Sequence, residues 1–331
     1  MESSVSQAGS ARETPPARTA TPRFSVLTPI YKTTAYVGQA IESLLAQTRD
    51  DWELLIVDNA CPEGGAEAVR PFLHDPRVRM SQRTDNDGVS VARNELLEHA
   101  RGEYVVQLDS DDWLEPDYLA TVAEAFEADR RVGIVAPNAA RYLDDTAQFA
   151  EQTTFELCDA PRVDDDRRTI ERLLRVNYVP PPFSVRRDAL EACGGWSREH
   201  EGIEDLALLC DILGRGWTMR TIWRPICVYR VRSQSTAFDE TGTERPEIRA
   251  LRERYLASLL RSGELTPGAR RQARTSLTRS RLRAAVVAGD VPAARRALWG
   301  AVLRHPSPAV IATALAHTVA PDATARFLSS R

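Results

Sequence analysis

Lysine is almost absent from this chain: Lys32 is the only one among 43 basic residues, so positive charge is carried by guanidinium groups. Cysteine is scarce and scattered, with Cys61, Cys158, Cys193, Cys210 and Cys227 forming no C-x-x-C pair and having no His at zinc-finger spacing. That pattern excludes a disulfide framework and a zinc ribbon, and fits free thiols in a reducing compartment. Long apolar runs are missing as well. None approaches the roughly 20 residues of a membrane-spanning helix, so no anchor is expected. Residues 1–22 lack the apolar core of a secretory signal and are rich in Ser, Ala, Thr, Pro and Arg, which predicts a disordered leader on a cytoplasmic protein. A formal net charge of only −4 gives no global signature of a nucleic-acid partner.

What is present is an alternation of strands and helices. With 331 residues the chain exceeds the size at which a single core stops growing, so a catalytic domain and an accessory segment are expected. A short β-rich apolar run at 24–28, ended by Pro29, predicts a strand buried on both faces, 54–57, ended by Asp58, a second buried strand, and 78–80 and 104–108 a third and a fourth strand. Between them lie helical stripes: Tyr36, Val37, Ala40, Ile41, Leu44 and Leu45, with Thr34 as N-cap, and then 89–100. A helix at 116–129 and a strand at 133–136 follow, and then an acidic, loop-rich insertion at 138–166. With the Pro180-Pro181-Pro182 loop, that insertion is expected to set specificity. Leu206, Leu209, Ile212 and Leu213 mark a helix, and strands are expected near 219–222 and 228–231. The result is an α/β fold, a Rossmann-like, mostly parallel sheet flanked by helices, with chemistry at the carboxyl ends of its strands. Thr28-Pro29-Ile30-Tyr31-Lys32 contains no glycine, which argues against a nicotinamide-binding oxidoreductase.

Beyond residue 241 the sequence becomes rich in Ala, Arg and Leu, with helices expected near 249–262, 269–288, 292–304 and 309–320. The predicted units are the leader 1–22, a catalytic domain 23–240 and a helical C-terminal extension 241–331. From Glu247 onward fifteen Arg stand against five acids. The plain reading is a solvated helix face. The tail is also a candidate for peripheral contact with an anionic membrane face or for homo-oligomer formation.

The chemistry concentrates in Asp109-Ser110-Asp111-Asp112, which follows a buried strand directly. Clustered carboxylates repel, and a hard divalent cation such as Mn²⁺ or Mg²⁺ would neutralise them and bridge to phosphate. The plainer alternative is a helix N-terminus, where acids cap and complement the dipole. Asp58 ends a neighbouring strand, and the run Asn86 to Asn94 adds Gly88, which permits close backbone approach, and Arg93, a cation for phosphate. Glu204 and Asp205 head a later helix, where acids are commonly dipole-stabilising residues.

Six motifs in order, Ser25-Val26-Leu27-Thr28-Pro29-Ile30-Tyr31, Ser43 to Thr48, Glu53 to Asn59, Asn86 to Asn94, Leu108 to Asp112 and Gly194-Gly195-Trp196 with Glu204-Asp205, resemble the family-2 glycosyltransferases over residues 23–235. The resemblance implies the GT-A fold and an inverting, metal-dependent transfer of sugar from a nucleotide-diphosphate donor, favouring uracil, to a glycan or lipid-linked acceptor. By that likeness Pro29, Tyr31, Asp58, Arg93, Asp109 and Arg232 would line the nucleotide-sugar site. Asp111 and Asp109 would hold the cation, Asp205 would be the general base, and Glu204 would orient the acceptor. Two positions depart from the family pattern. Asn59 replaces the second acid of Val-Asp-Asp, and Arg232 stands where the family often has a His near the metal. An Arg cannot ligate a metal, but it can neutralise diphosphate directly. These departures keep open an inactive binding protein on the same fold.

Overall fold

The protein is described here from a computed structural model that covers residues 21–157, 169–175, 177, 179, 181–232, 246–263 and 265–304. Most of the expected leader, Cys158, the end of the 138–166 insertion, Pro180 and the helix expected at 309–320 lie outside the described residues.

Strand β1 (Phe24–Ile30), helix α1 (Val37–Leu45), β2 (Trp52–Asp58), the short α2 (Gly65–Val69), β3 (Val78–Gln82), α3 (Val89–Glu98) and β4 (Tyr104–Gln107) form the alternating α/β half expected from the sequence. These strands run parallel in the order β3-β2-β1-β4, with Ile30 opposite Asp58 and Leu27 opposite Gln107. Every residue of β1 and β2 is buried. The sheet is covered on both faces, so these strands read as continuous apolar runs rather than alternating ones. Phe24, Val26 and Ile30 pack with Val37, Ile41 and Leu44 of α1 on one side, while Leu27, Leu55 and Val57 meet Ala92 and Leu96 of α3 on the other.

The second half comprises β5 (Trp113–Leu114), α4 (Tyr118–Ala128), β6 (Val132–Leu143), β7 (Gln148–Phe149), α5 (Thr154–Leu157), α6 (Thr169–Arg175), β8 (Phe183–Arg186), α7 (Arg187–Ala192), α8 (Glu204–Gly214) and β9 (Thr218–Val231). The full order is β3-β2-β1-β4-β8-β6-β9-β5, with β7 paired to β6. Strand β8 runs antiparallel between β4 and β6. Three helices follow: α9 (Pro246–Ser262), α10 (Pro267–Val287) and α11 (Val291–Arg304). Tyr255, Leu256, Ala269, Ala273 and Leu277 belong to the same core as Leu206 and Leu209 of α8. The C-terminal helices therefore pack onto the α8 face of the sheet.

Some local expectations are corrected. Thr34 does not cap α1: the helix starts after Tyr36 with no side-chain cap, and the Thr34 hydroxyl donates to Glu63 at 3.0 Å. A turn held by the Thr33 carbonyl intervenes, so the first helical amides bond to backbone instead. Strand β6 continues to Leu143, into the span expected to be loop, because it pairs with a single long β9 rather than two short strands. Pro225, which breaks the apolar pattern, sits opposite Asn138 where the register shifts. A bulge is where a sheet tolerates proline.

Glu53 on β2 is a buried acid that this packing must satisfy. It accepts from the Ser25 hydroxyl at 2.7 Å, the Arg101 amide at 2.8 Å and guanidinium, and Arg79 at 2.6 Å. Burial alone would raise its pKa, yet the bonds from Arg101 and Ser25 outweigh it and hold the group below the usual carboxylate value. Glu53→Ala should therefore cost about 3 kcal/mol or more at pH 7 by leaving the arginines and Ser25 unpaired. A depressed pKa gives stability that is lost on acidification, so the difference from wild type, read by urea denaturation, should shrink below about pH 4.

Candidate active site

The carboxyl ends of β1, β2 and β4 share one rim. On it, Asp58 is fixed as the anchor of the following turn, accepting from the Cys61 amide at 2.8 Å and the Ala66 amide at 3.1 Å. The turn must close tightly around it: a Cβ on Gly65 would lie 2.8 Å from the Asp58 carboxyl carbon. Next to it, Asn59 donates to the Asn86 side chain at 2.8 Å, linking the β2 tip to the loop ahead of α3. Pro29 is buried within β1, whereas Tyr31, just past the strand, is 40% exposed.

Arg93 is the hub of the site. Its α3 position points it across the rim, where it meets Asp109 at 2.6 Å, Glu204 at 3.0 Å and Asp205 at 3.2 Å while remaining only 2% exposed. The sequence therefore placed Arg93, Asp109, Glu204 and Asp205 in one site, and the structure joins them through a single guanidinium. A phosphate would have to displace a carboxylate to reach it. Burial opposes the cation, but the three carboxylates outweigh burial and raise the Arg93 pKa. They do not all benefit equally. Desolvation pushes Asp205 up to about 7 against the pull of Arg93, with Glu204 and Asp109 adding repulsion. Glu204 is raised by burial as well.

The turn after β4 is held by a second pair of arginines. Arg232 bonds Asp111 at 2.5 Å. Arg230 donates its amide to Asp112 at 2.8 Å and its guanidinium to the Asp111 carbonyl at 2.9 Å and to Asp144 at 2.8 Å. Tyr36, Trp113 and Tyr142 surround the Arg230 guanidinium with ring centroids at 4.5, 4.9 and 5.2 Å. The third acid of the motif thus faces inward as a structural group. Sequence reasoning did not single out Arg230, Tyr36 or Asp144; their signal was only the Tyr-Arg that precedes Arg232. No bond among the described residues ties Asp58, Pro29 or Tyr31 to the Arg93 cluster; what they share with it is the rim.

The donor set suits a hard cation. Asp109 and Asp111 offer carboxylate oxygens, and an ion such as Mg²⁺ needs only one or two of these when phosphates complete its shell. Burial raises the Asp111 pKa, with Asp109 repelling it, and Asp112 is raised well above its ordinary value by burial and by both neighbours. The buried Asp112 Oδ2 has no hydrogen-bond partner. Positive charge is therefore wanted beyond that of Arg232. Among the described residues no group of three or more His, Cys, Asp or Glu is placed to hold a metal unaided. The ion that fits is one shared with a diphosphate.

A carboxyl with a raised pKa favours folding only while protonated, so its ionisation should destabilise the fold as pH rises from about 4 to about 7. Asp205→Asn removes that titration. The variant should gain stability relative to wild type across this range, by on the order of 2 kcal/mol at pH 8, in thermal or urea unfolding. A gap that does not change with pH would contradict the assignment.

Comparison with known proteins bears on the family and the fold. The sequence model of Glycosyl transferase family 2 matches residues 25–194, just over half the chain. Among relatives, an uncharacterized protein, y4gI, of Sinorhizobium fredii is 32% identical over 59% of this chain and 20% of its own length. The putative teichuronic acid biosynthesis glycosyltransferase TuaG of Bacillus subtilis is 37% identical over 30% of this chain and 39% of its own. The chain thus matches less than half the length of these relatives. Among solved structures, S. aureus TarS 1–349 superposes with a TM-score of 0.61 at 17% identity, covering 93% of this chain and 90% of that one. The mannosyltransferase PcManGT of Pyrobaculum calidifontis, in complex with GDP-Man and Mn²⁺, gives 0.57 at 23% identity, covering 94% and 86%. These likenesses fix the GT-A fold. On the sequence match, the chain belongs to glycosyltransferase family 2.

Proposed function

We propose that the protein is an inverting glycosyltransferase that moves a sugar from a nucleotide-diphosphate donor, preferably a UDP-sugar, to an acceptor hydroxyl in polysaccharide or glycolipid synthesis. The observation that carries this reading is the geometry of Asp205, a partly exposed carboxyl that shares Arg93 with Asp109 and Glu204 on the strand rim and whose pKa desolvation pushes up to about 7. A base poised near neutrality is what abstraction of a hydroxyl proton calls for.

In this mechanism Asp58 and Asp109 hold the nucleoside and Tyr31 borders it. Asp205 accepts the acceptor proton while the acceptor oxygen bonds the anomeric carbon from the face opposite the diphosphate. The anomeric C–O bond breaks, the electron pair leaves with the nucleoside diphosphate, and a single displacement inverts the configuration. Arg93 keeps Asp205 fixed, and Glu204 orients the acceptor. Asp111 and Asp109 would hold a divalent cation, Mn²⁺ or Mg²⁺, which when bound would supply positive charge at the leaving diphosphate. Arg232 adds charge beside it. Support for the ligands comes from the PcManGT complex with GDP-Man and Mn²⁺ and the TarS complex with UDP-GlcNAc, and for polymer synthesis from relatives such as TuaG and the Pasteurella multocida chondroitin synthase.

The acceptor, glycan or lipid-linked, would be met near α9 and α10. Helix α10 carries Arg270, Arg271, Arg274, Arg279, Arg281 and Arg283 and no acid, and Arg271, Arg274 and Arg279 are exposed. That supports weak contact with an anionic surface. Deleting these helices would open the core they share with α8, so exposed charges should be changed instead. Arg271→Gln with Arg274→Gln should weaken flotation with phosphatidylserine vesicles, and unchanged flotation would end this part of the proposal.

A panel of nucleotide sugars with and without Mn²⁺, read by thermal stabilisation and donor hydrolysis, tests the main reading. At least one donor should stabilise the protein. With it, Asp205→Asn should lower turnover by about 10²–10⁴-fold while nucleotide affinity stays unchanged. The wild-type rate should rise with pH to a plateau above about 7, where the base is ionised. Silence towards every donor would favour an inactive binding protein.

A further inference from the structure

The residues that carry Asp205 to its place are as informative as Asp205 itself. From Trp196 to Asp205 the chain is laid along helix α3. Asn94 exchanges two bonds with the Trp196 backbone, each at 2.8 Å, and the Ser90 hydroxyl donates to the Ser197 carbonyl at 3.3 Å. Asn94 and Ser90 are one helical turn apart, so they form a ladder down one side of α3. At the end of that ladder, the Glu201 carboxylate accepts from the Val89 amide and from the Ser90 amide at 3.1 Å, which caps the start of the helix. Gly88 is shaped for this contact. Its φ is +98°, and a Cβ there would lie 2.6 Å from Glu201 Oε1.

After Glu201, the Gly202 amide donates to Glu204 at 2.7 Å, and α8 begins. Arg93 in the middle of α3 meets Glu204 and Asp205 in the first turn of α8, and the start of each helix has a carboxylate beside it, Glu201 at α3 and the acid pair at α8. Both ends carry partial positive charge, and a carboxylate at such an end is stabilised by it. The amides that could otherwise take a phosphate at the start of α3 are already bonded to Glu201. This capping is therefore structural, and the donor diphosphate belongs elsewhere on the rim.

We infer that Glu201 is a positioning residue that fixes the Trp196–Asp205 segment on α3 and so sets the placement of Asp205. The inference rests on Asp205 being the base and deepens that reading. It assigns Glu201 an effect on turnover and not on donor binding, because nothing it touches lies at Asp58, Tyr31 or Asp111.

Two readouts separate the claims. In hydrogen exchange followed by mass spectrometry, which needs no substrate, Glu201→Ala should lose protection in peptides covering 88–91 and 197–203, while Glu201→Gln, which keeps one acceptor oxygen but turns an NH2 towards the second amide, should retain only part of it. With the donor that the nucleotide-sugar panel identifies, Glu201→Ala should lower kcat about tenfold or more. Nucleotide Kd should stay within about twofold, and Glu201→Gln, which restores one of the two bonds, should fall between Glu201→Ala and wild type in rate. Gly88→Ala crowds the same carboxylate and also strains the backbone at φ +98°, so its loss of kcat should shrink but not vanish in the Glu201→Ala background of a double-mutant cycle. Wild-type exchange in Glu201→Ala, or wild-type kcat, or an equal loss of nucleotide affinity and kcat, would overturn the inference. If the wild-type protein transfers no sugar, the catalytic reading fails, while the exchange arm still decides whether Glu201 holds the segment.

Discussion

One buried guanidinium organises this molecule. Arg93 sits almost fully out of water between Asp109, Glu204 and Asp205. A lone buried cation would be prohibitively costly, and so would three unpaired carboxylates in the same volume. Together they are tolerable, and the arrangement fixes three elements relative to one another: α3 through Arg93, the tip of β4 through Asp109, and the start of α8 through the acid pair. Because negative charge exceeds positive, the balance is imperfect. Desolvation, with the repulsion of Glu204 and Asp109 added to it, outweighs the pull of Arg93 and raises the affinity of Asp205 for a proton. A structural compromise of this kind is how a fold makes a weak carboxylate base useful at neutral pH.

The acids on the rest of the rim are each bonded as well, although the buried Asp112 Oδ2 is left without a partner. Asp58 is bonded by turn amides, Asp111 by Arg232 and Asp112 by the Arg230 amide. Arg230 reaches from the last strand of the sheet to the turn after β4 and to Asp144, and its aromatic box of Tyr36, Trp113 and Tyr142 keeps it in place. The chain's reliance on arginine rather than lysine suits this. A planar guanidinium can serve several oxygens at once and stack on rings, which a single ammonium cannot.

The sequence carried much of this in legible form. Strands β1, β2 and β4 are visible because strands buried on both faces are continuously apolar, and α1 and α8 because their stripes have helical spacing. The residues of the Arg93 cluster were also nameable, since each stands at the end of a recognisable element. What was hidden depends on partners distant in sequence. Arg93 looked like a phosphate contact because nothing local reveals that its charge is committed to acids 16, 111 and 112 residues away. Strands β6 and β9 looked shorter than they are, since Pro225 and Asn138 mask a pairing that only the bulged register discloses. Glu201 carried no signal at all, being one acid in a polar loop until α3 is folded beside it.

The account turns on whether the crowded, half-compensated pocket truly poises Asp205 near neutrality. Carboxyl ¹³C NMR titration of the full-length protein, with Asp205→Asn identifying the resonance, measures this directly. The account predicts a midpoint at about 7 for that carboxyl. A midpoint at the ordinary aspartate value of about 4 would contradict it.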